Sequence, residues 1–340
     1  MREALFIKKN VEKWNRYQQE PPADPDETAL RFTTILDDLS YARTFYPKSQ
    51  ATRWLNGLAT TVYQDLYRNR KEKYSRFISF WKFELPLLFG KYHRIFLFTT
   101  IMFTVFVALG VFASMHEGNF VRGVLGDRYV DMTEDNIRRG DPFGVYTDEN
   151  PFSMFVRIAF NNIRVAFFTF ISGLTMGIIT TKLLWDNGIM LGCFQYMFFT
   201  HGLGMESILV IWIHGTIEIS SIIIAGVAGF IMANGILFPG TYTRLESFKR
   251  HARDAAKVLV ALIPFFIIAA FLESYITHQM SDTYRSGGHG GLPVEISGII
   301  LLGSLYLIIG YFVIRPIRLR RRGYFLRKEG IIDRLNAVNA

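Results

Sequence analysis

His214 and Glu218 have the types and spacing for chemistry. They stand in Trp212-Ile213-His214-Gly215-Thr216-Ile217-Glu218, four residues apart in an otherwise apolar stretch. On a helix, both side chains project from one face. A carboxylate in such a segment is costly unless it is protonated, paired or wetted, so it is a functional candidate by default. Three readings follow. The first is a structural ion-pair or hydrogen-bond centre, with Arg164 and the Asn161-Asn162 pair of an earlier apolar segment supplying partners. The second is a proton or ion relay in a transporter or channel, which Gly-broken helices permit. The third is a metal-dependent intramembrane enzyme. For that the spacing fits poorly, because one His and one Glu at i and i+4 are not the two His and intervening Glu of a zinc peptidase helix.

The first reading is preferred, with the Glu218 carboxylate expected near Arg164, His214 or an Asn161 or Asn162 amide and not facing lipid. No second cluster in the sequence completes a ligand set around His214 and Glu218, so no metal, cofactor or catalytic residue is expected, and the chain is not expected to be an enzyme. His201 and His278 fall near segment ends and read as interfacial. The sequence holds no phosphate-cradling Gly loop, Ser, His and Asp set, or Rossmann fingerprint. Gly287-Gly288-His289-Gly290-Gly291 lacks a following Lys and reads as a flexible loop.

The elements that must position these residues are membrane helices. The chain has 340 residues, 50% of them hydrophobic, with a mean hydropathy of +0.19. That fraction occurs in soluble proteins too, and clustering is what decides. Apolar runs long enough to cross a bilayer at about 1.5 Å per residue recur along the sequence. Six crossings are expected: Ile95 to Met115, Val165 to Thr181, Gly188 to Thr200, one within Ser207 to Phe238, Val258 to Thr277, and Ile296 to Ile314. Asp186-Asn187-Gly188 reads as a tight turn between the second and third. The 32-residue run from Ser207 to Phe238 exceeds one straight crossing, so it must tilt, break near Gly226 or Gly229, or pass the interface. The fold class is all-α, a polytopic membrane helix bundle. The single cysteine, Cys193, excludes an intrachain disulfide framework.

Residues 1–94 form a small helical cytoplasmic domain with a lead-in to the membrane, residues 95–314 the transmembrane domain, and residues 315–340 a basic tail. Amphipathic helices are expected over Glu3 to Gln19, Asp26 to Tyr46 and Ser49 to Asn69, separated by Pro21, Pro22, Pro25 and Pro47. Arg68 to Lys91 interleaves basic and aromatic residues, as in a helix lying in the headgroup region, or else is a plain helical lead-in. The first twenty residues lack an apolar h-region, so no signal peptide is expected. Residues 116–150 carry eight acidic and four basic residues and form the largest polar loop between crossings.

Lys and Arg mark the cytoplasmic side. Six crossings place on one face the 17 basic residues before Ile95, the five of Arg244 to Lys257 and the eight of Arg315 to Arg334. Both termini are then cytoplasmic. The formal net charge of +9 is mostly topological in origin, and nucleic acid is not expected as a partner. Gly173 and Gly177, Gly188 and Gly192, and Gly226 with Gly229 are small residues at spacings that let helices approach closely.

Asn162-x-Arg164, the Gly173 and Gly177 pair, Asn187-Gly188-x-x-x-Gly192, His214-Gly215-x-x-Glu218 and Gly226-x-x-Gly229, in that order, resemble the stage II sporulation protein M family. Asp38-Leu39-Ser40, Ala42-Arg43, Tyr46-Pro47 and Leu55-Asn56-Gly57-Leu58 are similar to its longer members. Ile213 departs from the proline that many members carry before the histidine. The resemblance implies a non-enzymatic scaffold or anchor in the bacterial cytoplasmic (inner) membrane, since the namesake recruits peptidoglycan-cutting partners to the septum during engulfment. The expected partners are membrane lipids, other envelope or membrane-complex proteins, and a second copy of the chain as a homo-oligomer.

Overall fold

The computed structural model describes residues 2–20, 25–67, 75–144, 150–277, 279, 293–326 and 332–334. It divides into two compact units, Met1–Arg76 and Phe77–Ala340.

The first unit is three helices, α1 (Glu3–Gln19), α2 (Pro25–Phe45) and α3 (Gln50–Tyr67). Their apolar faces close a core of Phe6, Trp14, Ile35, Leu39, Ala42, Leu55, Leu58 and Ala59. Polar edges fix the packing: the Trp14 indole donates to Asp38 at 2.8 Å, and Lys13 pairs with the same carboxylate at 2.6 Å. Ser49 starts α3 by accepting from the Thr52 N–H at 3.0 Å, as an N-cap side chain does.

The second unit opens with α4 (Ser75–Ser79), a π turn (Phe80–Glu84) and α5 (Leu85–Lys91). It continues through α6 (His93–His116), α7 (Phe120–Leu125), α8 (Asp127–Arg138) and α9 (Pro151–Ile171) with a 3-10 turn (Ser172–Thr175). Then come α10 (Ile178–Thr200), α11 (Gly204–Leu237) and α12 (Arg244–Phe271), extended by a π turn (Leu272–Thr277). The helix α13 (Val294–Ile309), a π turn (Gly310–Ile314) and α14 (Arg315–Arg321) precede an antiparallel pair, β1 (Tyr324–Leu326) and β2 (Ile332–Arg334).

Among the described residues, five helical stretches are long and apolar enough to cross a membrane: His93–His116, Pro151–Thr175, Gly204–Leu237, Arg244–Thr277 and Glu295–Arg321. The sixth expected crossing falls in α10, which has 23 residues but loses apolarity to Lys182, Asp186 and Asn187. The turn expected at Asp186-Asn187-Gly188 is absent. Those residues lie inside α10, where Lys182 pairs with Asp186 at 2.5 Å one turn away and Asn187 donates to the Leu183 carbonyl at 2.8 Å. The chain reverses earlier, at Met176 (φ 57°) and Gly177 (φ 87°), two successive left-handed residues. Gly177 is therefore a turn residue, and a Cβ there would also lie 3.0 Å from the Phe230 ring of the helix Gly204–Leu237.

The long fourth run is one unbroken helix of 34 residues, about 51 Å at 1.5 Å per residue. This helix, α11, packs against α6, α9, α10, α12 and α13. Glycines set the approach. A Cβ on Gly173 would fall on the Gly229 carbonyl, one on Gly229 would lie 2.6 Å from the Thr169 carbonyl, and one on Gly226 would meet Leu184 at 2.7 Å. In the α6–α10 contact a Cβ on Gly192 would strike the Val107 carbonyl, one on Gly188 would meet Phe106 at 2.7 Å, and one on Gly110 would lie 2.6 Å from the Ile189 carbonyl.

The lead-in from Phe77 onward belongs to the membrane unit. Leu85 to Gly90 are buried against the rest of that unit. Polar contacts hold this segment: Glu84 pairs with Lys257, Lys91 with Asp254 at 2.6 Å, and the Tyr92 hydroxyl donates to Asp254 at 2.8 Å. Burial, with that carboxylate beside it, pushes the Tyr92 hydroxyl above its ordinary range and keeps it a donor. Further along, Arg320 donates to the Gly90 carbonyl at 3.0 Å. The acidic 116–150 segment also folds onto the bundle. Val130 and Phe143 are buried in a cluster with Met197, Phe198, Val210 and Ile213, and Arg122 bridges Asp131 at 2.6 Å and Glu134 at 3.2 Å.

Gly173→Ala should destabilise the protein by about 1–3 kcal/mol, the usual cost of overpacking. Gly303→Ala has open space around the added methyl and should leave stability unchanged or raise it by up to about 1 kcal/mol. Thermal unfolding of the two variants in detergent checks this, and equal losses would refute the packing role.

Candidate functional site

The buried face of α11 carries His214, which is 3% exposed, and Glu218 one turn further on. Each meets a neighbour. From α9, Asn162 donates through Nδ2 to Glu218 Oε1 in a short hydrogen bond. From the end of α12, the Thr277 hydroxyl lies 2.9 Å from His214 Nδ1, and Glu273 Oε2 lies 3.9 Å from His214 Nε2. Glu273 and Thr277, four apart in the π turn that ends α12, both reach His214. Ligand atoms of His214, Glu218 and Glu273 all lie within 4.8 Å of one another. Arg157, exposed on α9, is within electrostatic reach of Glu273.

Helical phase sorts the expected members of the centre. Asn162 shares a face with buried Ala159, Ala166 and Thr169, at positions three before, four after and seven after it. Asn161 is one residue out of phase and exposed. Arg164 is two residues on, about 200° around the helix. It too is exposed and its guanidinium rests 5.6 Å from the Phe168 ring centre. The expected pairing of Arg164 with Glu218 is thus replaced by a neutral amide. Asn162, His214 and Glu218 come together, while Asn161 and Arg164 stay outside. His201 closes α10 with Nδ1 2.8 Å from the Met197 carbonyl; His278 lies outside the described residues, as does the Gly287 to Gly291 loop.

Sequence reasoning missed Glu273. The signal was present, because it is the one charged residue between Val258 and Thr277. Its arrival corrects the expectation that no residue completes a ligand set around His214 and Glu218. The electrostatics are unfavourable for two free carboxylates: charges within 4.8 Å repel by about 3–4 kcal/mol even at an effective dielectric of about 20. The Arg157 guanidinium offsets part of the charge of Glu273, and the repulsion is relieved by a proton shared between the carboxylates or by a cation. The donors present, one imidazole and two carboxylates, suit either.

Fold and site together define a multi-pass helical membrane protein with a buried polar centre between its helices. Residues 98–278, more than half of the chain, match the model for the family Stage II sporulation protein M, and the chain belongs to that family. Residues 4–68 match a second model, a domain of unknown function (DUF8413). No curated protein and no solved structure matches the chain.

Asn162→Ala should cost about 1–3 kcal/mol by leaving the buried Glu218 without its donor, whereas Arg164→Ala should be near neutral. In double-mutant cycles read by thermal unfolding, Asn162 with Glu218 should show coupling of about 0.5–3 kcal/mol, and Arg164 with Glu218 additivity. Coupling confined to Arg164 would refute the geometry.

Proposed function

We propose that the chain is a non-enzymatic membrane scaffold or anchor of a cell-envelope complex, seated in the bacterial cytoplasmic membrane with both termini in the cytoplasm. One observation carries this reading: α1, α2 and α3 close a core of their own and fall within residues 4–68 or at their edge, which match a family model of their own, in a chain whose other unit is a membrane bundle. A module of that kind offers a protein surface outside the bilayer. Exposed Leu5, Leu30 and Phe45 on its helices give apolar contact points, the kind of feature that marks partner sites when clustered. The family membership supports the same role, since the namesake works as a membrane anchor within an assembly.

Lipid as a partner is supported by a cleft of about 600 Å³ lined by Lys82, Arg315, Arg318 and Arg322 above Tyr306 and Tyr311. Basic side chains where a spanning helix leaves the bilayer attract anionic headgroups. A second reading, movement of a proton or ion, is favoured by the proximity of His214, Glu218 and Glu273.

Affinity purification from native membranes should recover a specific partner with the full chain and lose it on deletion of residues 1–76. Recovery of the same partners by both would defeat the docking role. Liposomes holding the purified protein should show no proton or ion flux; flux abolished by Glu218→Gln would install the second reading instead. For orientation, Asp135→Cys in a Cys193→Ser background should label from outside with an impermeant thiol reagent, and Lys249→Cys only after permeabilisation. The opposite pattern would invert the topology.

A further inference from the structure

We infer that His214, Glu218 and Glu273 form a site for one divalent transition-metal ion, zinc or manganese, which ties α11 to the end of α12 inside the membrane unit. Their three donor atoms lie within 4.8 Å of one another. Ligands about 2.1 Å from a zinc ion stand roughly 3.4 Å apart in tetrahedral geometry, so side-chain movements of about an ångström close the set, with water completing it.

The donors are also held from behind. Thr277 bonds His214 at Nδ1, which leaves Nε2 as the nitrogen turned to Glu273, and Asn162 fixes Glu218 through one oxygen. Metal-binding His and carboxylate side chains are oriented by such partners.

Two hydroxyls give an independent sign. Ser221 and Ser274, each 1% exposed, have Oγ atoms with no hydrogen-bond partner among the described residues. Hydroxyls in helices usually bond a carbonyl one turn back, as Thr216 and Ser220 do on this same helix, both at 2.7 Å. Ser221 follows His214 by seven residues and Glu218 by three, so it shares their face of α11. Ser274 directly follows Glu273. Both hydroxyls lie on the helical stretches that carry the carboxylates, and hydroxyls left uncommitted there can accept from water that a cation keeps.

Charge and donor type select the ion. Two carboxylates offset the charge of one divalent ion, with Arg157 within electrostatic reach of Glu273 from the exposed side of α9. The imidazole nitrogen favours zinc and the two carboxylates admit manganese, whereas magnesium and calcium prefer an all-oxygen set. The third ligand comes from a distant helix, so the ion acts as a tie between helices.

The test uses tag-free full-length protein in detergent, stripped with a chelator and titrated with zinc or manganese alone, magnesium serving as comparison. Expected are one ion per chain by elemental analysis, a rise in thermal midpoint on adding zinc or manganese but not magnesium, and at least tenfold weaker binding in Glu273→Gln and in His214→Gln. Wild-type protein that neither binds nor is stabilised overturns the site, in favour of a proton shared by the carboxylates, however the variants fold. Retention of the ion by both variants with wild-type affinity overturns it equally.

Discussion

Every membrane element of the second unit leans on α11, and the small residues of that helix determine how closely. Lipid offers no hydrophobic drive between helices, so association depends on close van der Waals packing and interhelical hydrogen bonds. Gly226 and Gly229, with Ala225, Ala228 and Ala233, keep the helix narrow and buried over much of its length. The consequence reaches His214 and Glu218. On a helix so fully covered, polar side chains have no lipid-free route to the interface, and their partners must be brought by the neighbours that pack there.

Those neighbours bring an amide, a hydroxyl and a second carboxylate, and the guanidinium within electrostatic reach is that of Arg157, on Glu273, instead of Arg164. An ion pair with Arg164 would have neutralised Glu218 and left the centre complete. The observed set does not. Asn162 satisfies one oxygen of Glu218 without cancelling charge, and Glu273 adds to it. A hydrogen-bonded centre with excess acid has capacity for a positive charge, whether proton or metal. The structural reading and the ion-binding reading are therefore two descriptions of one arrangement.

Much of the fold was legible in the residues. The three amino-terminal helices fall within a residue or two of expectation because prolines punctuate them and their apolar period is clear, and α6 matches because nothing charged interrupts it. The α9–α10 turn was misplaced because Asp186-Asn187-Gly188 has the composition of a turn, while the Lys182–Asp186 pair that makes it helical is a tertiary-neutral i,i+4 contact. At the site, depth and residue type pointed to His214, Glu218 and Asn162, but phase was not applied to Arg164. Glu273 stands out as a lone charge in an apolar run, but only the packing of α12 against α11 shows that it reaches His214. The burial of Leu85 to Gly90 was hidden for a related reason, since basic and aromatic neighbours disguise a segment whose partners lie over 160 residues away, as Asp254 does from Lys91.

The helix α12 joins two features that the sequence presents as unrelated. Near its start, Asp254 and Lys257 hold the lead-in through Lys91, Tyr92 and Glu84. At its other end, Glu273 and Thr277 complete the polar centre. The 19 residues from Asp254 to Glu273 span about 28 Å at 1.5 Å per residue. Pro264 lies between them and removes one backbone donor from the helix. Burial of Val258, Ala261, Leu262 and Phe266 around it holds the helix in place. One packed element thus carries both the seat of the lead-in and, at its far end, the carboxylate and hydroxyl that meet His214.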